Sequence, residues 1–167
     1  MKRILLFIML STLALSSCHL GVENAHLRNI VPNNTRTVAD GITMRLLQDR
    51  YPLDTREMTI VLENQTDLDL LYGYGWIIEK QEDGVWQTLG NRNDWLFQMV
   101  AYILEGNEVT TVTVKTPALR EEGFYRVKWI ATFSWYDDSD SGNEVIITPS
   151  EPMDFEFLVL RNARAEP

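Results

Sequence analysis

Cysteine is almost missing from this chain: of 167 residues only Cys18 is one. A disulfide within the chain is therefore impossible, and any fold must be held by its core alone. Histidine is nearly as scarce, with His19 and His26 alone, both close to the amino terminus. A zinc site of His and Cys is excluded by inventory. A Ser-His-Asp or Cys-His apparatus is excluded as well, because the base needs a fixed geometry with its nucleophile. Cationic residues are outnumbered, with 15 Lys and Arg against 24 Asp and Glu and a net charge of −9. That balance does not suit nucleic acid, whose phosphates call for Lys and Arg. It also gives the body of the protein no pull towards an anionic membrane surface. No phosphate-cradling loop is present, since "YGYGW" lacks the third glycine and the following helix that such a loop needs.

What is there begins at the first residue. Lys2 and Arg3 precede an apolar run from Ile4 to Leu10, and small residues then lead to Cys18. A basic start, a short apolar core and small residues at a cleavage point form an export signal. The run is too short to span a membrane comfortably. Leu15-Ser16-Ser17-Cys18 resembles the bacterial lipobox, read by the lipoprotein signal peptidase. The resemblance implies cleavage before Cys18, lipid on its sulfur and a further acyl chain on the new amino terminus. Two chains anchor stably, because each buried methylene contributes about 0.8 kcal/mol. Loss of Lys2 and Arg3 with the signal makes the remainder two units more negative still. An aspartate after the lipidated cysteine is the usual inner-membrane retention signal. Here His19 follows, which favours the outer membrane in a cell that has one.

Residues 1–17 are thus read as signal peptide, and residues 18–40 as a lipidated tether, polar, without periodicity and containing Pro32. About twenty flexible residues span on the order of 25 Å. Residues 41–161 form the folded domain, and 162–167 a tail. From Gly41 the apolar residues alternate. Ile42, Met44 and Leu46 share a face, as do Met58, Ile60 and Leu62, and Trp76 with Ile78. The longest run puts Tyr125, Val127, Trp129, Ala131, Phe133 and Trp135 on one side, and the last puts Met153, Phe155, Phe157 and Val159 inward. Turns fall at "EDG", where Gly84 takes positive φ, and at "EGN". Period two in run after run predicts an all-β antiparallel domain of about seven strands, a β-sandwich. Residues 91–103 admit two readings: a short helix capped by Asp94, or a loop closing one end.

The stretch from Arg50 to Leu89 resembles a bacterial Ig-like domain family common in exported lipoproteins. The landmarks are Tyr51-Pro52, "LEN-T" at Leu62 to Thr66, Tyr72-Gly73, Glu79-Lys80 and "DGVW" from Asp83. "YILEGNEVT" from Tyr102 and "LREEGFYRVKW" from Leu119 follow. The resemblance implies an Ig-like β-sandwich and carries over no catalytic residue. Gly123-Phe124-Tyr125 is similar to the tyrosine corner of Ig-like folds, in which the Tyr hydroxyl bonds to nearby backbone. Val127 stands where antibody domains have a cysteine, and Trp76 would be the core tryptophan. The chain departs from many relatives in Glu105-Gly106 for a Pro-Gly turn and in the acidic insertion "YDDSDSGNE".

The expected role is non-catalytic: a lipid-anchored envelope module that binds a protein or a glycan, without cofactor or metal. The alternatives are a structural or accessory subunit of an envelope complex and a small carboxylate-dependent hydrolase. Trp76 and Trp86 are expected in the core, which leaves Trp95, Phe97 and Tyr74 as possible ligand contacts. "DDSDSGNE" is rich in oxygen ligands but misses the spacing of a calcium loop and reads as a solvated hairpin loop.

Overall fold

Alternation of apolar and polar residues puts one face of a strand in oil and the other in water, and the chain obeys it. The computed structural model describes residues 34–90, 98–136, 145–149 and 151–163. Among these there are thirteen strands and no helix. They form three antiparallel sheets apart from one parallel pair.

The first sheet holds β1 (Thr35–Ala39), β2 (Ile42–Leu46), β4 (Glu57–Asn64) and β9 (Val109–Lys115), in the order β1-β2-β4-β9. The second holds β3 (Arg50–Pro52), β13 (Asp154–Leu160), β10 (Gly123–Trp129), β6 (Trp76–Glu82) and β7 (Val85–Thr88), in that order. The third holds β12 (Val145–Ile147), β11 (Phe133–Tyr136), β5 (Asp69–Tyr74) and β8 (Gln98–Leu104), again in that order. The alternating residues meet in one core. Ile42, Met44, Ile60, Leu62 and Val114 come from the first sheet, Val127, Phe155, Phe157 and Val159 from the second, Leu70 and Phe133 from the third. Phe157 lies between Tyr51, edge-on at 5.4 Å, and Tyr125, stacked at 5.6 Å.

The long run from Gly123 to Tyr136 is broken at residues 130–132, and its partner from Asp69 to Glu82 is broken at Gly75. The two breaks face each other: Ile130 N–H donates to the Gly75 carbonyl at 2.8 Å, and Gly73 N–H to that of Thr132 at 3.3 Å. Both strands thus bend together, and each serves the second sheet with one half and the third with the other. The expected seven strands are these same runs before the bends are counted, with additions.

Two expectations need correction. Residues 35–39 fall within the expected tether 18–40, but they form β1, antiparallel to β2. The reason is Arg36, which occupies an inward position and hides the alternation. It is 8% exposed, bonded from Nη1 to the Thr35 carbonyl and from Nε to that of Pro152. The helical reading of residues 91–103 fails from residue 98, where β8 pairs with β5. Residues 91–97 lie outside the described residues.

The turn expected at "EDG" has positive φ at both Asp83 and Gly84, as a tight hairpin requires. A different pressure acts on Gly106. A Cβ there would stand 2.8 Å from the carbonyl carbon of Asp67, so the turn after β8 and the turn after β4 touch main chain to main chain. Between them sits Asn64, 1% exposed. Its Nδ2 donates to the carbonyls of Leu68 (2.8 Å) and Glu105 (3.1 Å), and its Oδ1 accepts from Thr66 N–H (3.1 Å) and Oγ1 (2.7 Å). Here the "LEN-T" landmark has its physical reason.

Asn64→Asp removes the two donors and turns a carboxylate towards carbonyl oxygens. It is expected to cost more than Asn64→Ala, itself destabilising by about 2–3 kcal/mol. Urea unfolding monitored by tryptophan fluorescence checks the order.

Candidate binding surface

The outward residues of the second sheet do not form an ordinary solvated face. Register sets Arg126 on β10 opposite Glu79 on β6 and Glu156 on β13. Arg126 Nε donates to Glu79 Oε2 at 2.5 Å and Nη1 to Asp154 Oδ2 at 2.9 Å, and all three side chains are less than a fifth exposed. The guanidinium lies over the Trp86 ring at 4.3 Å, and Trp86 meets Phe124 at 5.6 Å. A planar cation between carboxylates and an indole is fixed in place, since each contact uses a different part of it.

At one end of this sheet the tyrosine corner is formed. Tyr125 Oη donates to the Glu121 carbonyl at 2.8 Å, and the side chain of Glu121 accepts from Lys80. Burial raises the Tyr125 phenol above its ordinary value. For Lys80, partial burial works against the ammonium, but the bonds to Glu121 and Glu82 outweigh it and hold its pKa above 10.5. The same bond holds the Glu121 carboxyl below 4.5. Val127 fills the half-cystine position as a fully buried residue.

The tryptophans are distributed differently from expectation. Trp76 is only partly buried, packed against the core, with its indole donating to the Lys115 carbonyl at 3.0 Å. Trp129 is the tryptophan inside, 5% exposed and 6.2 Å from Trp76. Trp86 is not a core residue, because it sits on the outer face with Arg126. Of the possible ligand contacts, Trp95 and Phe97 lie outside the described residues. Only the backbone of Tyr74 is described, at the end of β5 beside a register shift. The acidic residues 137–144 are also outside, though β11 and β12 on either side pair as a hairpin. Among the described residues no group of three His, Cys, Asp or Glu could hold a metal ion, and no helix is long and apolar enough to cross a membrane.

A family model described as "Bacterial Ig-like domain" matches residues 38–140. The chain belongs to the bacterial Ig-like domain family. Its all-β sandwich is consistent with that membership. Such domains are binding or structural modules. No curated protein matches. Among solved structures, a PapD-like domain of human CEP192 is 14% identical, with 82% of this chain and 95% of that chain covered and a TM-score of 0.39. The Pseudomonas fluorescens alkylpurine DNA glycosylase AlkC, solved with DNA containing an abasic site analogue, is 11% identical at a TM-score of 0.37. The alignment covers 75% of this chain but spans only 30% of the glycosylase. The PmoD soluble domain from Methylocystis is 14% identical, with 71% of this chain and 91% of that chain covered and a TM-score of 0.27. Likeness of this degree says nothing of shared ligands.

Arg126→Ala leaves two mostly buried carboxylates facing each other without their cation. A loss of about 2–4 kcal/mol is expected in chemical denaturation. The Lys80–Glu121 bond stabilises fully between the ordinary Glu and Lys values, and is lost as pH falls through the lowered Glu121 value or rises through the raised Lys80 value. Glu121→Gln is therefore expected to lower Tm slightly near neutral pH, by a difference that vanishes as pH falls through the lowered Glu121 value.

Proposed function

We propose that this protein is a lipid-anchored module of the bacterial cell envelope that binds a protein or glycan partner and performs no catalysis. The observation that carries the reading is the pairing of Leu15-Ser16-Ser17-Cys18 with an Ig-like domain of known family. Lipid on Cys18 fixes the domain at a membrane, and the residues between Cys18 and β1 give it reach. Tethering raises the local concentration of a binding surface without adding a contact. Outer-membrane residence is the expectation, since His19 stands where an aspartate would retain the protein inside.

The chemistry of the fold agrees with a binding role. Glu79 and Asp154 are both engaged by Arg126, and Glu82 and Glu121 are both engaged by Lys80. A glycosidase needs one carboxyl free to give a proton and the other free to attack or to activate water. The reading as an accessory subunit draws on one specific observation, the edge of β9, which is long and, among the described residues, paired on one side only.

Labelled palmitate tests the anchor: the wild-type chain takes up label and stays with membranes, and Cys18→Ser loses both. Label retained on Cys18→Ser overturns the anchor. Protease shaving of intact cells then assigns the partner's side. Digestion of the domain points to an external ligand, and protection until the envelope is opened points to an envelope protein.

A further inference from the structure

Strand edges offer unpaired N–H and C=O groups, and proteins guard them by shortness, proline, charge, bulges or cover. Most edges here are guarded. β3 and β12 have three residues each, and β3 contains Pro52. β7 has four. β1 is closed by Arg36, whose Nε reaches the Pro152 carbonyl. β8 carries a register shift against β5. β9 has none of these devices. It runs seven residues, "VTTVTVK", with no proline and no charge before its last position. It pairs with β4 along its whole length without a shift.

The direction of its backbone follows from the flanking bonds. Asn64 N–H donates to the Glu108 carbonyl and Thr116 N–H to that of Arg56. Even-numbered residues therefore turn their main-chain groups towards β4. In an antiparallel ladder the alternate residues turn theirs the other way. Val109, Thr111, Thr113 and Lys115 thus present N–H and C=O to the open side. The Lys115 carbonyl is already taken by the Trp76 indole. The side chains of the same four residues are exposed, while Val112 and Val114 are buried.

We propose that β9 pairs with β9 of a second copy of this chain, antiparallel about a two-fold axis at Val112. In that register Thr111 of each copy faces Thr113 of the other and exchanges two main-chain bonds with it. Lys115 N–H of each copy meets the Val109 carbonyl of the other, and the Trp76 bond is left intact. Two-fold pairing requires a strand that complements itself. This one does: Thr–Thr is a favourable cross-strand pair, and no like charges are opposed. On the neighbouring strand Glu63 pairs with Val109, so the one cation of the edge, Lys115, approaches Glu63 of the other copy. The pairing joins two four-stranded sheets into one. It involves one strand per copy, so the interface is small and association depends on concentration. It does not require the acyl anchor and stands apart from it.

Sedimentation equilibrium of the full chain carrying Cys18→Ser is expected to show a monomer–dimer equilibrium. Hydrogen exchange at the Thr111 and Thr113 amides slows as the dimer fills, while the Val112 and Val114 amides are slow throughout. Thr111→Pro removes an N–H that makes no bond among the described residues, a position where an edge strand tolerates proline. It is expected to abolish the dimer and leave the near-ultraviolet circular dichroism unchanged. The variants Thr111→Lys with Thr113→Lys, and Thr111→Glu with Thr113→Glu, each lose the homodimer and regain a dimer when mixed. A chain that stays monomeric at every concentration overturns the proposal. So does a dimer indifferent to Thr111→Pro, or a mixture of the charged variants that does not associate.

Discussion

The carboxamide of Asn64 joins two turns that are forty residues apart in the chain. Its donors hold the carbonyls of Leu68 and Glu105, and its oxygen holds Thr66. The Gly106 turn can approach closely enough for this because it has no side chain to interpose. Two strand pairings lean on that contact, β4 with β9 and β5 with β8. β4 leaves the first sheet at Asn64, β5 enters the third at Asp69, and β8 passes into β9 between them. A buried polar group without partners costs free energy, so the amide specifies this arrangement and penalises others. The corner between the first and third sheets is fixed by it.

The opposite end is held by different means. A tyrosine hydroxyl, a lysine and a glutamate meet at Glu121, through main chain and side chain at once. Where antibody domains place a covalent bridge across the sandwich, this chain places Val127 among Phe155, Phe157 and Val159. Cohesion comes from buried apolar area and aromatic contacts, which a reducing environment leaves untouched.

Strands were legible in the sequence where one face is dry and the other wet. β2, β10 and β13 appear at the alternating runs because their inward residues are uniformly apolar, and β4 because only its last, Asn64, is polar. β1 was not legible, since Arg36 interrupts the pattern and one of its two acceptors is the distant Pro152 carbonyl. The bend in the longest run was invisible for another reason. Trp129 and Phe133 are four residues apart, an even number, so the period continues across the break. The tyrosine corner was legible from Gly123-Phe124-Tyr125 because it is local. The Arg126 cluster was not, because it depends on the register of β10 against β6 and β13. The short strand around Trp86 carries too few residues to tell an outer face from an inner one. The lipobox-like run ending at Cys18 is read from local sequence alone.

The last strand of the chain is not at a margin of its sheet. β13 lies between β3 and β10, paired with both. Until residue 160 has left the ribosome, the second sheet lacks its middle member and the core lacks Phe155, Phe157 and Val159. A nascent chain of this kind stays unfolded while it lengthens, because the contacts that would stabilise it are the most distant in sequence. Strand order thereby doubles as a timer, delaying completion of the core until β13 has been made.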